Sequence, residues 1–268
     1  MSGRLRPYAV IMPAIAPIEK STSNRTATNR PRQKLPPAKL IVQKVDNETL
    51  ALRFPSLDAG RADEVRTHLQ EAQKQGVTRV ILDVRDCGRG QASEAFAIAR
   101  LFVPSGTFLT LKGQTVPEQA FSADPSKVLW KGPVSVLIDV TTTGAAEVLA
   151  ASLANNKRGD IVGERTFGLA SEQKLITMDD GAALILTVAN YYNPDGKSIL
   201  EEGVAPTEVV RAAAATSEET DEGDDVASST AGPQKEPPVG PRPLSSDDPV
   251  LRRALELLKA PAPAKKAA

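Results

Sequence analysis

The chain of 268 residues has little of the chemistry on which many functional sites depend. It contains one cysteine, Cys87, and one histidine, His68, which excludes an intrachain disulfide framework and a zinc site rich in Cys and His. Aromatic residues make up 4%, and Lys plus Arg equal Asp plus Glu at 33 each. Because a neutral, aromatic-poor chain lacks a basic stacking surface, we predict no nucleic-acid partner. We also predict no cofactor and no metal, since the sequence has no phosphate loop and no ligand cluster at metal spacing.

Long hydrophobic runs are scarce as well. An apolar stretch at residues 8–18 is interrupted by Pro13 and Pro17, and it is shorter than the roughly 18 residues that a membrane-spanning helix needs. No clear small-residue cleavage site follows, so the sequence carries no convincing signal peptide or transmembrane segment, although a damaged signal peptide is an alternative. We expect residues 1–38, which are rich in Pro, Arg, Thr, Ser and Asn, to be a disordered leader.

Composition divides the rest of the chain into four parts. Residues 39–211 alternate between apolar runs and amphipathic stretches and are expected to form one folded core. Residues 212–245 are acidic and then rich in Pro and Gly, which predicts an extended linker. Residues 246–260 have apolar residues at helical spacing and predict a short amphipathic helix. Residues 261–268 are expected to be a disordered tail.

Within the core, strand and helix patterns follow one another closely. Short apolar runs are typical of buried strands, and residues 62–75 show a helical pattern that ends at Gly76. The alternation predicts an α/β domain with much of its sheet buried. Strands are predicted at 40–45, 50–54, 80–84, 134–140 and 160–163, helices at 62–75, 93–102 and 145–155, and a hairpin of 172–177 with 182–189.

Four segments of this core resemble, in order and spacing, the C-terminal processing (tail-specific) serine protease family. The resemblance covers about residues 40–211. It implies a crotonase-like core with a mixed buried sheet and flanking helices. The family has a PDZ domain before this core, and we expect residues 1–38 not to contain one. The four segments are 76–85 (GVTRVILDVR), 147–153 (EVLAASL), 162–168 (VGERTFG) and 191–199 (YYNPDGKSI).

The resemblance also implies where the family's catalytic Ser–Lys pair falls. The serine lies three residues before the glutamate that corresponds to Glu147, and this position is Gly144. The lysine follows the segment that ends in Gly168, and this position is Leu169. Glycine has no side chain to attack a carbonyl and leucine cannot accept a proton, so the resemblance predicts a pseudoprotease.

Other parts of the family's site have counterparts in this chain. Gln173 matches a glutamine that the family places near its lysine, although an ordinary polar strand residue is an equal interpretation. The oxyanion-hole candidates implied by the resemblance are Ala145, Gly90 and Arg89. Arg89 replaces a family glycine, and it either fills the vacated pocket or is a solvated loop residue.

Two functions remain open from the sequence. The first is a non-catalytic module that binds unstructured peptides or protein C-termini, with an active homologue or an envelope complex as a further partner. The second is an active serine-type endopeptidase that uses an unrecognised nucleophile or a partner subunit, for which Thr143, Ser171 and Cys87 are the candidates. The resemblance implies a cell-envelope or periplasmic location.

Overall fold

The computed structural model describes residues 38–179, 182–211, 244–245 and 247–259. The predicted leader before residue 38, the linker at 212–243 and the tail lie outside these residues. In chain order the elements are β1 (Ile41–Lys44), β2 (Thr49–Arg53), α1 (Arg61–Lys74), β3 (Arg79–Asp83), α2 (Ala92–Arg100), β4 (Thr107–Gly113), β5 (Gln119–Ser122), β6 (Val134–Ile138), α3 (Ala145–Asn155), β7 (Asp160–Gly163), β8 (Ser171–Thr177), β9 (Ala183–Tyr192), β10 (Glu208–Val209) and α4 (Pro249–Lys259), with a 3-10 turn at Pro125–Lys127.

The larger sheet has six strands in the order β1-β2-β3-β6-β7-β10. Strand β1 pairs antiparallel with β2, and the remaining pairs are parallel. Strands β2 and β6 are buried along their whole length, as apolar strands covered on both faces are expected to be. The predicted α/β class, with a mixed sheet and flanking helices, is confirmed.

Alternate residues of this sheet face two different layers. Leu52, Leu82 and Val136 belong to the main core, which also takes in the buried faces of α1, α2 and α3. Ala51 and Ile81, their neighbours in the chain, belong to a second cluster formed with α4. Since side chains alternate between the faces of a strand, the sheet is the central layer between three helices and α4.

Helix α4 is attached to the sheet by ion pairs as well as apolar contacts. The Asp248 carboxylate caps the helix by accepting from the backbone N–H of Val250 at 2.9 Å. Its other oxygen lies 2.7 Å from Arg85, which follows β3 directly. Although burial disfavours the carboxylate, the contact with Arg85 holds the pKa of Asp248 below its ordinary value. In the part of the chain that is described, no helix is long and apolar enough to cross a membrane.

The smaller sheet is antiparallel, with the order β5-β4-β9-β8. An aromatic cluster holds it against α2: Phe96 stacks on Phe121 with 4.1 Å between the ring centroids, and Tyr191 approaches Phe96 edge-on at 6.0 Å. Strand β8 forms one edge of this sheet and begins three residues after Gly168. This edge leads to the candidate site.

Candidate functional site

A cavity of about 540 Å³ opens where the N-terminus of α3, the loop after β3 and the start of β8 meet. Three of the positions predicted from the sequence, Gly144, Leu169 and Gln173, line it together. Its other lining residues are Gly88, Gly90, Gln91, Ala92, Ser93, Thr143, Ala145, Val148, Ser171, Glu172 and Tyr191.

Gly144 is the residue from which α3 starts. Its backbone has φ +60° and ψ −118°, a conformation that residues with a side chain rarely adopt. A Cβ atom built there meets no other atom within 4 Å. The position therefore has room for a side chain that would point into open space, at a cost in backbone strain of the kind found at catalytic nucleophiles on sharp turns before helices.

A single buried carboxylate, that of Glu147, joins the two halves of the site. One of its oxygens accepts from the backbone N–H groups of Gly144 at 2.9 Å and of Leu169 at 2.8 Å. The other accepts from the Thr166 hydroxyl at 2.6 Å and from the Gly168 N–H at 2.5 Å. Glu147 is fully buried, and a negative charge in the first turn of a helix is favoured by the helix dipole. This carboxylate fixes the separation between the backbones of Gly144 and Leu169.

Leu169 lies in the turn between β7 and β8, with its side chain at the cavity and 47% exposed. Phe167, two residues earlier, is 63% exposed. Gln173 lies four residues further along the chain, on β8, and is also exposed. Leu169 therefore presents an aliphatic side chain to the cavity where the family resemblance implies a lysine.

The loop after β3 forms the opposite wall, and only glycine fits at its end. A Cβ on Gly90 would lie 2.5 Å from the Cβ of Leu57, because the loop is hydrogen-bonded to Leu57 on both sides, at Arg89 and at Gln91. Gly88 and Gly90 line the cavity, as does Ala145, whereas Arg89 is exposed and is not among the lining residues.

The candidates for an unrecognised nucleophile have different surroundings. The side chains of Thr143 and Ser171 line the cavity. Cys87 is fully buried beneath the loop, and burial raises the pKa of its thiol to about 12, so this thiol is unreactive. His68 lies on α1 beside Glu71, at 3.4 Å, and not at the cavity.

Sequence reasoning did not include the two ionisable side chains that line the cavity. The Tyr191 hydroxyl donates to the Glu172 carboxylate. Burial, together with this bond, raises the pKa of Tyr191. The two residues are 19 positions apart, and although a hairpin was predicted here, its pattern does not indicate which side chains meet across it. No lysine or histidine lines the cavity among the described residues.

The described residues form a mixed α/β core with a buried sheet. The N-terminus of α3 and a glycine-bearing loop face each other across a cavity beside this sheet. This is the architecture of a C-terminal processing peptidase core. The chain belongs to peptidase family S41, whose profile matches residues 48–210. It is 33% identical over 159 residues to a carboxyl-terminal-processing protease of Synechocystis, covering 59% of this chain and 37% of that one. It is 27% identical to the carboxy-terminal processing protease CtpA of Bacillus subtilis, covering 65% and 38%.

A solved structure shows the same relation. The photosystem II D1 C-terminal processing protease superposes with a TM-score of 0.56 at 31% identity, over 61% of this chain and 42% of that one. The chain therefore spans little more than a third of these curated relatives and less than half of the solved protein. The family assignment applies to the core that they share.

Proposed function

We propose that this chain is a pseudoprotease that binds extended or C-terminal peptide segments without cleaving them. The observation that carries the proposal is that Gly144 and Leu169 lie at one cavity and are held together by Glu147. By the family resemblance these are the positions of the nucleophile and of its base. The loss of one such residue costs on the order of 10⁴–10⁶ in rate.

The other residues of the cavity also support the proposal that this chain does not cleave peptides. Proton transfer from a serine or threonine hydroxyl needs a base within hydrogen-bond reach. Thr143 and Ser171 have hydroxyl groups at the cavity, but the carboxylate of Glu172 is already engaged by Tyr191. A working peptidase would have to draw its base from elsewhere, such as a partner subunit.

Strand β8 provides the means of holding a peptide. It is the edge strand of the smaller sheet, and its first residues line the cavity. Within the hairpin the N–H of Met178 bonds to the carbonyl of Ala182 at 2.8 Å. Backbone groups alternate in an antiparallel pair, so those of Gln173, Leu175 and Thr177 point to the outer edge. A peptide added there as a strand would run directly into the cavity.

The relatives' names refer to the processing of carboxyl termini, and we extend to this chain the recognition of such termini. We also place it in the cell envelope, where binding without cleavage would shield a C-terminus or regulate an active homologue. The side chain of Leu169, which is 47% exposed at the cavity, suits an apolar peptide side chain.

The catalytic part of the proposal is tested by restoring the two missing groups. Purified natural chain and the double variant Gly144→Ser, Leu169→Lys are incubated with an unstructured polypeptide that carries a C-terminal tag, with each single variant as a control. We expect cleavage only by the double variant. Cleavage by the natural chain would refute the proposal, and Thr143→Ala and Ser171→Ala would then locate the nucleophile.

The binding part is tested with a labelled peptide and fluorescence anisotropy. Leu175→Pro removes one N–H from the outer edge of β8, a position where proline is tolerated because the group makes no bond within the hairpin. We expect this variant to bind the peptide at least about tenfold more weakly, the loss of roughly one well-placed hydrogen bond. Lys39→Pro, outside the hairpin, is the control, and equal binding by all three proteins would exclude strand addition to β8.

A further inference from the structure

The outer half of the β8–β9 hairpin extends beyond the sheet to which it belongs. Strand β4 pairs with β9 only at residues 189–192, whereas β8 pairs with β9 along Ala183–Asn190. Among the described residues, the section of β9 from Ala183 to Thr187 therefore has a strand partner on one side only. We call this outer part of the hairpin, residues 173–178 and 182–187, the ribbon. Six of its large aliphatic residues are between 39% and 63% exposed: Leu175, Ile176, Met178, Leu184, Ile185 and Leu186.

Such a ribbon is poorly stabilised by itself. A two-stranded hairpin without a covered face is marginal in water, and a contiguous exposed aliphatic patch marks an interaction site. Both faces contribute here, since the cross-strand pair Leu175–Ile185 lies on one face and the pair Ile176–Leu184 on the other. A partner would therefore have to form hydrogen bonds with a free strand edge and also contact aliphatic side chains.

The two edges of the ribbon differ in chemistry. The outer edge belongs to β8, which carries the charged residues Glu172 and Lys174 and is the edge at which we propose that peptides bind. The opposite edge belongs to β9, whose residues 183–188 (ALILTV) include no charge, proline or glycine, a composition typical of strands that pair with copies of themselves. A cleft of about 340 Å³ beside Thr187 and Val188 leaves room along this second edge.

We propose that the β9 edge pairs with the same edge of a second copy of this chain and forms a two-fold dimer. Because Leu184 and Leu186 direct their backbone groups to β8, those of Ala183, Ile185 and Thr187 point to the open edge. Antiparallel pairing about a two-fold axis at Ile185 places this residue opposite its own counterpart. It also places Leu184 opposite the counterpart of Leu186 and Ala183 opposite that of Thr187, so that no charged residue lies in the register.

The amount of surface agrees with a dimer of modest affinity. The aliphatic part of the contact comes from Leu184, Ile185 and Leu186 of each copy, which are 41%, 63% and 40% exposed. The backbone groups of the two β9 edges add hydrogen bonds, and an edge contact smaller than a standard interface gives a weak dimer. The β8 edge stays free in this arrangement, so the dimer does not block the edge at which we propose that peptides bind. The dimer does not depend on the proposed peptide-binding function.

Leu175 and Ile185 make a matched pair of test positions. They lie side by side on one face of the ribbon, with 61% and 63% exposure, but on opposite edges. Sedimentation equilibrium of the natural chain at about 50 µM should show a dimer of the micromolar class that small interfaces give. We expect Ile185→Lys to leave only monomer, because two ammonium groups would meet at the axis, and Leu175→Lys to dimerise as the natural chain does.

Cysteine variants identify the edge directly, because Cys87 is fully buried and does not compete. Ile185→Cys should form an intermolecular disulfide on mild oxidation. Leu175→Cys should not, since three strand spacings, roughly 14 Å, would separate its copies. Cross-linking of Leu175→Cys alone would place the dimer on the β8 edge and overturn the proposal. A natural chain that stays monomeric would overturn it too, including one that instead binds lipid vesicles or another protein through the ribbon.

Discussion

Replacing Glu147 with glutamine tests the central feature of the site with minimal change in shape. Glu147 accepts four hydrogen bonds while fully buried. Glutamine keeps one carbonyl oxygen, so its amide NH₂ would face two donors that then lose their acceptor. Hydrogen bonds to a charged group contribute about 1.5–3 kcal/mol each, which gives an expected loss of about 3 kcal/mol in the free energy of unfolding.

The loss can be followed through Trp130, the single tryptophan, which is 3% exposed. In a domain of this size, about 3 kcal/mol lowers the melting temperature by roughly 6–12 °C. Glu164→Gln is the matched control, because Glu164 is partly exposed and makes a long ion pair with Arg211 at 3.7 Å. If Glu147→Gln unfolds within about 0.5 kcal/mol of the natural chain, the carboxylate does not hold the two halves of the site together.

Three further results are expected. Gly90→Ala should lower the free energy of unfolding in urea by about 3 kcal/mol or more, because its Cβ would lie 2.5 Å from Leu57 and φ is +140°. Gly196→Ala, whose Cβ would meet no atom within 4 Å, is the control and should lower it less. Equal losses of stability in the two variants would contradict the overlap. Asp248→Asn should lower the free energy of unfolding at pH 7 by about 1.5–3 kcal/mol, the contribution of a hydrogen bond between charged groups, because it removes the ion pair with Arg85. Because the folded pKa of Asp248 is lowered, its contribution is present above the ordinary carboxyl pKa and disappears as pH falls through the folded value. The natural chain and the variant should therefore converge in acid, and a constant difference would refute the pairing. Cys87 should react with a thiol reagent only in the unfolded chain, and rapid labelling of folded protein would contradict its burial.

All strands of the larger sheet except β10 could be predicted from sequence, because their signals are local. Helix α3 and strand β7 begin and end at the predicted residues. Strand β4 was not predicted, since its pairing partner on β9 lies almost 80 residues further along the chain, as in Gly113 with Ala189. Strand β10 has only two residues and is defined by its pairing with β7, so no periodicity within it was available.

The candidate site also has one part that local sequence signals predict and another that depends on contacts between distant residues. The positions of Gly144 and Leu169 followed from short motifs at fixed spacing, and the structure brings both to one cavity. The four bonds of Glu147 require the turn at 166–169 to fold back on the start of α3, which spacing alone does not show. The exposure of the ribbon was also not predictable, because an apolar strand signal is the same whether its faces are covered or open.

The attachment of α4 has a consequence for the synthesis of this chain. The side-chain amide of Gln43 on β1 bonds to the carbonyl of Leu244, 201 residues later, just before the helix that covers one face of the larger sheet. At about 5–20 residues per second, translation takes roughly 10–40 s to pass from one to the other. Until α4 has been synthesised, the face formed by Ala51, Ile81, Leu137 and Val162 has no cover from it. The larger sheet thus depends on α4 to finish folding, and a ribosome that stalls within the acidic segment would leave a nascent domain prone to aggregation.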